Sequence, residues 1–200
     1  MRYLTLVIVL FAVSAFGASG DWYSPSANYD PGAWTSCDQA YHSDDSRAAA
    51  AATLVDSFAV LTFAISITAT DIVDSVDVSV EGFGGSATTA RRVHYVALST
   101  DGGVSKSGNW ATDTLNQTTD AVSTLAGTSN GQGDRTWGAT LTGTNVGSSN
   151  FAVMIKKTIN ALGATQNIDQ VRVRVWWHAG SGFTGNRRSK IINMGLTKSQ

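Results

Sequence analysis

Eight residues near the C-terminus, VRVRVWWH from Val171, constrain the fold more than any other stretch. In an extended chain, side chains point alternately to opposite faces. Val171, Val173, Val175 and Trp177 therefore share one face, and Arg172, Arg174, Trp176 and His178 share the other. Such a period cannot make an amphipathic helix, so this is a strand with a core-facing side. IVDSVDVSVEGF repeats the pattern, with Val76, Val78 and Val80 inward and Asp77, Ser79 and Glu81 outward. Two strands with one apolar face each need a second layer to cover them.

Other segments supply that layer. FAVLTFAISITA is rich in β-branched and aromatic residues, RRVHYVALSTDGG is a strand that ends in an Asp-Gly turn, and SNFAVMIKKTI is a third. TWGATLTG reads as a further strand, and Ala121 to Leu125 as a weak one inside a long Gly/Ser/Thr/Asn region that holds Trp110. AAAAATLVDSF, from Ala48, has helical propensity but runs straight into a strand. No stretch carries convincing helical periodicity. At least six short strands joined by Gly-rich turns indicate an all-β sandwich or barrel, formed as one domain.

The two ends read differently from the middle. MRYLTLVIVLFAVSAFGASG has an early Arg2, an apolar run and then small residues, the pattern of a secretory signal peptide. The expected organisation is a signal peptide over 1–20, a sandwich domain over 21–182 and a basic tail over 183–200. No membrane span is expected in the mature chain. The tail carries Arg187, Arg188, Lys190 and Lys198 and no acid, whereas residues 21–56 hold six aspartates against Arg47 alone. Because the tail also holds the apolar segment KIINMGL, it is expected to dock on a sheet edge or face. The net charge of −1 gives no reason to expect a nucleic-acid partner. Cys37 is the only cysteine, so no intrachain disulfide can form and a buried thiol is expected.

Catalytic signatures are thin. His42, His94 and His178 lie far apart, with no HxH, HExxH, CxxC or GxSxG spacing, and Glu81 is the only glutamate available for paired-carboxylate chemistry. A non-enzyme is expected, with no cofactor except a structural calcium ion. Asp38, Asp44 and Asp45 would supply its hard oxygen ligands. The competing reading for these aspartates is turns in which they accept from their own backbone. Arg172, Arg174, Trp176 and His178 also admit two readings. They pair with Asp77, Ser79 or Glu81 on a neighbouring strand, or they form a binding face with Trp176 as a platform.

AWTSCDQAYHSDDSRA, FAVLTFAISI, DSVDVSVEG, VALSTDGG, RTWGATLTGTNVGSSNFAVMI and IDQVRVRVWW follow one another in order. Together, from about Trp34 to Trp177, they resemble a jelly-roll module that recurs in bacteriophage virion and tail-associated proteins and in large bacterial surface proteins. The resemblance implies a two-sheet antiparallel jelly-roll β-sandwich with no catalytic centre. The function expected is a non-catalytic, exported structural or adhesive module at a cell or virion surface. Its partners would be a protein or its own subunits. A carbohydrate-binding module contacting surface glycan is the alternative, and a hydrolase with an unrecognised site comes third.

Overall fold

The computed structural model describes residues 21–29, 34–50, 58–84, 94–112, 121–126, 136–157 and 166–180. The signal-peptide and tail readings, over 1–20 and 183–200, lie outside the described residues. Among the described residues, ten strands appear in chain order: β1 (Ala27–Tyr29), β2 (Trp34–Thr35), β3 (Ala48–Ala50), β4 (Phe58–Thr62), β5 (Ile72–Gly84), β6 (His94–Ser99), β7 (Ser107–Thr112), β8 (Ala121–Ala126), β9 (Ala152–Lys157) and β10 (Gln166–His178). A 3-10 turn, Cys37–Ala40, and one helical turn, α1 (Gly143–Val146), complete the set. The strands form two five-stranded antiparallel sheets, ordered β1-β4-β9-β6-β7 and β2-β3-β10-β5-β8. This is the two-sheet jelly-roll sandwich expected from the sequence.

The core lies between the sheets. Val76, Val78, Val80, Val171, Val173 and Val175 face Leu61, Phe63, Val96, Leu98, Val153 and Ile155, all buried. Removing this much apolar surface from water is the main drive for closing the two layers, at roughly 25 cal/mol per Å². Trp177 packs against the same cluster, and Cys37 is buried within it, both as the alternation and the residue type predict.

β5 and β10 pair over nearly their whole length, with Val173 opposite Val78 and Arg174 opposite Asp77. Two bulges interrupt the register. At one, Asp169 is the extra residue, which lets both Ile168 and Val171 face inward. Gly82 sits beside it, and a Cβ there would overlap the carbonyl oxygen of Asn167, so the close approach of the two backbones requires glycine. At the other, Asp74 is extra, so Val73 and Val76 both reach the core.

One sequence expectation, the strand over TWGATLTG, is corrected, and two segments that the sequence leaves unassigned are strands. Ala48–Ala50 is strand β3, paired with both β2 and β10, so sheet partners override helical propensity there. TWGATLTG is a turn followed by α1, because Trp137 (φ 62°) and Gly138 (φ 73°) are both left-handed and break the extended run. Its indole still serves the core, since Trp137 Nε1 donates to the Val76 carbonyl at 2.8 Å. The Gly/Ser-rich segment around Trp110 is strand β7. The Trp137 backbone covers that strand's outer edge, where Asn109 N–H donates to the Trp137 carbonyl at 2.7 Å.

Trp137→Phe keeps an aromatic ring but leaves the Val76 carbonyl without its buried donor. The expected loss is about 1–3 kcal/mol, read as a lower urea midpoint with an unchanged m-value. Gly82→Ala should cost a similar amount, about 1–3 kcal/mol, through backbone overlap.

Candidate functional site

The outer face of the second sheet carries the residues singled out from the sequence. Asp77 stands opposite Arg174, Ser79 opposite Arg172, and Ser75 opposite Trp176. Arg174 Nη2 and Nε donate to Asp77 Oδ2 at 2.8 and 3.2 Å, and Trp176 Nε1 donates to the same oxygen at 2.9 Å. Three donors on one carboxylate oxygen make a charge-assisted knot on a face where Asp77 is only 8 % exposed. The alternation points Asp77 and Ser79 away from the core, yet both are buried, because this face is covered by its own side chains.

Part of that cover comes from the start of the described chain. Tyr23 exchanges backbone hydrogen bonds with Val173, at 2.7 and 2.9 Å, along the edge of β10 that β3 leaves free. This bridge lays Trp22 over the arginines. The Arg174 guanidinium carbon sits 4.6 Å from the Trp22 ring centroid and 4.8 Å from that of Trp176, a cation held between two indoles. Arg172 lies 5.4 Å from the Trp22 ring. Its Nε is buried, with no hydrogen-bond partner among the described residues. Further along the same face, the Arg47 guanidinium covers Phe83 at 4.9 Å. Nothing in the sequence around Trp22 announces this role, since the segment is turn-rich and lacks periodicity.

His178 does not join that knot. Its Nδ1 meets both oxygens of Asp74, at 3.0 and 2.9 Å, where the bulge turns Asp74 outward. The sheet thus puts Arg172, Arg174 and Trp176 into one array and leaves His178 in a separate, solvent-open pair. For Arg174 the observed arrangement is cross-strand pairing with Asp77.

The three aspartates considered for calcium are not gathered. Asp44 Oδ1 accepts the Ser46 N–H at 3.0 Å, and Asp45 Oδ1 pairs with Arg47 Nη2 at 2.9 Å. Asp38 sits in the 3-10 turn and accepts from Gln39 Nε2. Its charge, after burial, helps raise the pKa of the neighbouring Tyr41 phenol. Among the described residues, no group of three or more His, Cys, Asp or Glu side chains could hold a metal ion.

On the first sheet the outer face carries a small apolar cluster beside polar residues such as Lys156. Val60, Ala152 and Met154 form a small buried cluster under Trp110. Trp110 meets the exposed Tyr95 edge-on, with ring centroids 6.4 Å apart. The loop between β6 and β7 folds back over Val60 so closely that a Cβ on Gly103 would overlap that side chain. Asp101 organises this loop. It accepts from Ser99 Oγ at 2.7 Å, from Ser105 N–H at 3.0 Å and from Ser105 Oγ at 2.6 Å. The Ser105 hydroxyl, then its N–H, hold the Asp101 carboxyl below its ordinary pKa. Val104 stands at the tip, 87 % exposed.

No family model matches this chain, and no curated protein matches it in sequence. Among solved structures it is similar to a truncated AlyQ with CBM32 and alginate lyase domains, at 12 % identity and a TM-score of 0.48. The match covers 82 % of this chain and 34 % of that one, so this chain spans about a third of its length.

Two outcomes are expected. Asp77→Ala should cost about 1–3 kcal/mol, because it strands a half-buried guanidinium and an indole N–H. Arg172→Met should cost less, since Arg172 has no carboxylate partner among the described residues. Paired denaturation curves check the order. The Asp101 contribution has the opposite pH sense to a histidine's. A depressed folded pKa means the loop gains stability above the ordinary carboxylate pKa and loses it as pH falls through the folded value. Protection factors of the amides in residues 99–107, taken relative to their intrinsic rates at each pH, should therefore fall in acid, and Asp101→Asn should remove that dependence.

Proposed function

We propose that this chain is a non-catalytic attachment module, exported and displayed at a cell or virion surface, that works by contact with a protein partner. The observation that carries this reading is the division of side chains between the two kinds of surface. Among the described residues, several groups that could do proton chemistry are engaged: Asp77 with Arg174 and Trp176, Asp74 with His178, Asp101 with its own loop. Among the described residues, the large hydrophobic side chains left to solvent are Tyr29, Tyr95, Val104, Val122 and Ile72, which are contact groups. Exposed aromatic and aliphatic side chains on a rigid sandwich suit a protein interface. Among the described residues, no helix is long and apolar enough to cross a membrane.

A carbohydrate-binding reading draws on a different feature. Tyr95 and Trp110 form an aromatic corner on the first sheet, with Lys156 paired to Tyr95. Aromatic surface flanked by polar donors is suited to a sugar ring. The Trp176 face is less suited, because Trp176 Nε1 and two Arg174 donors are already committed to Asp77.

The two readings separate in one experiment. The full chain is bound to envelope preparations of the producing cell after either protease or periodate treatment. Binding that protease destroys and periodate spares supports protein attachment. The reverse pattern, with loss of binding in Trp110→Ala and retention in Trp176→Ala, replaces it with the glycan reading. Turnover of a polysaccharide by the purified chain would overturn both.

A further inference from the structure

The outermost strands of the two sheets are not equally protected. β7 has the Trp137 turn along its outer edge, and Asn109 N–H is satisfied there. β1 has only three residues. β8 is different: it runs for six residues, AVSTLA, and pairs with β5 and no other strand among the described residues. An edge strand offers a row of unpaired N–H and C=O groups, every second residue pointing outward from the sheet. Natural edges are commonly blunted by charge, proline, a bulge or a covering segment. β8 holds no charged residue, proline or glycine, and its pairing with β5 runs without a register shift. Val122 on its outer face is 57 % exposed, and Thr124 beside it is exposed.

We infer that the β8 edge is a self-association site, where a second copy of this chain pairs its own β8 antiparallel to the first and joins the two sheets into one. Backbone chemistry fixes the class of occupant, since only an extended strand fits such an edge. The composition of β8 selects the second copy. A two-fold axis through Ser123 sets Val122 opposite Thr124 on the outer face and Ala121 opposite Leu125 on the inner face. Both faces then match like with like, and no charges meet across the axis. Continuation of a sheet across a two-fold axis is an isologous contact that closes at a dimer. This interface goes beyond the attachment reading, and either can fail while the other stands.

The test is sedimentation equilibrium on the full chain, up to about 1 mM. The expected result is a monomer–dimer equilibrium. Val122→Lys/Thr124→Lys places like charges directly opposite across the axis and should weaken dimerisation about tenfold or more. Both substituted side chains point away from the core, so far-UV circular dichroism and melting should match the parent at concentrations where both are monomeric. Hydrogen exchange gives a second readout: amides of residues 121–126 should slow as the concentration of the unaltered chain rises, and those of 107–112 should not. Three outcomes overturn the inference. These are a parent chain that stays monomeric throughout, a lysine variant that dimerises unchanged, and exchange at 121–126 that ignores concentration. Loss of the dimer on truncation after Gly182, with unchanged exchange at 121–126, would place the contact in the tail instead.

Discussion

The register between β5 and β10 is the constraint on which the rest depends. These strands stand side by side within one sheet, each flanked by a further strand, and they supply six buried valines to the core. A one-residue slip would turn those valines to solvent and drive Asp77, Ser79, Arg172 and Arg174 into the apolar interior. Burying an unpaired charge costs several kcal/mol, so the slipped state is excluded from both faces at once. The Asp77–Arg174 pair thus acts together with the valines. It lies across the same rung and is satisfied only in the native register.

The two bulges show how a continuous sheet is adapted at its ends. An extra residue at Asp169 or Asp74 changes which side chains face inward without breaking the pairing. At the first, Gly82 admits the close backbone approach. At the second, Asp74 is released to the surface, where it meets His178. Between the two bulges the pairing runs without interruption, and the Asp77–Arg174 pair lies in that stretch.

The two outer faces follow different solutions to the same problem. One sheet hides polar side chains beneath tryptophans and arginines, so its cover is electrostatic and aromatic. The other hides Val60, Ala152 and Met154 beneath a hydrogen-bonded loop whose anchor is Asp101. In each case a short segment contributes to the cover and is held by one or two specific contacts.

Much of this was legible in the sequence, and the boundary has a physical cause. Alternation along VRVRVWW and DSVDVSVEG determined the strands, their inward faces and the need for a second layer, because period-two patterning is local and repeats over several residues. Burial of Cys37 and the Asp-Gly turn at Asp101 followed from residue type. Tertiary structure alone decided that Ala48–Ala50 joins the sheet, that Trp137 closes the core from a left-handed turn, and that Trp22 is laid over Arg174. The separation of His178 from the arginine array was likewise invisible, since it depends on a bulge in the partner strand. Each of these rests on one contact between segments far apart in the chain, and a single distant contact leaves no periodic trace in the residues that make it.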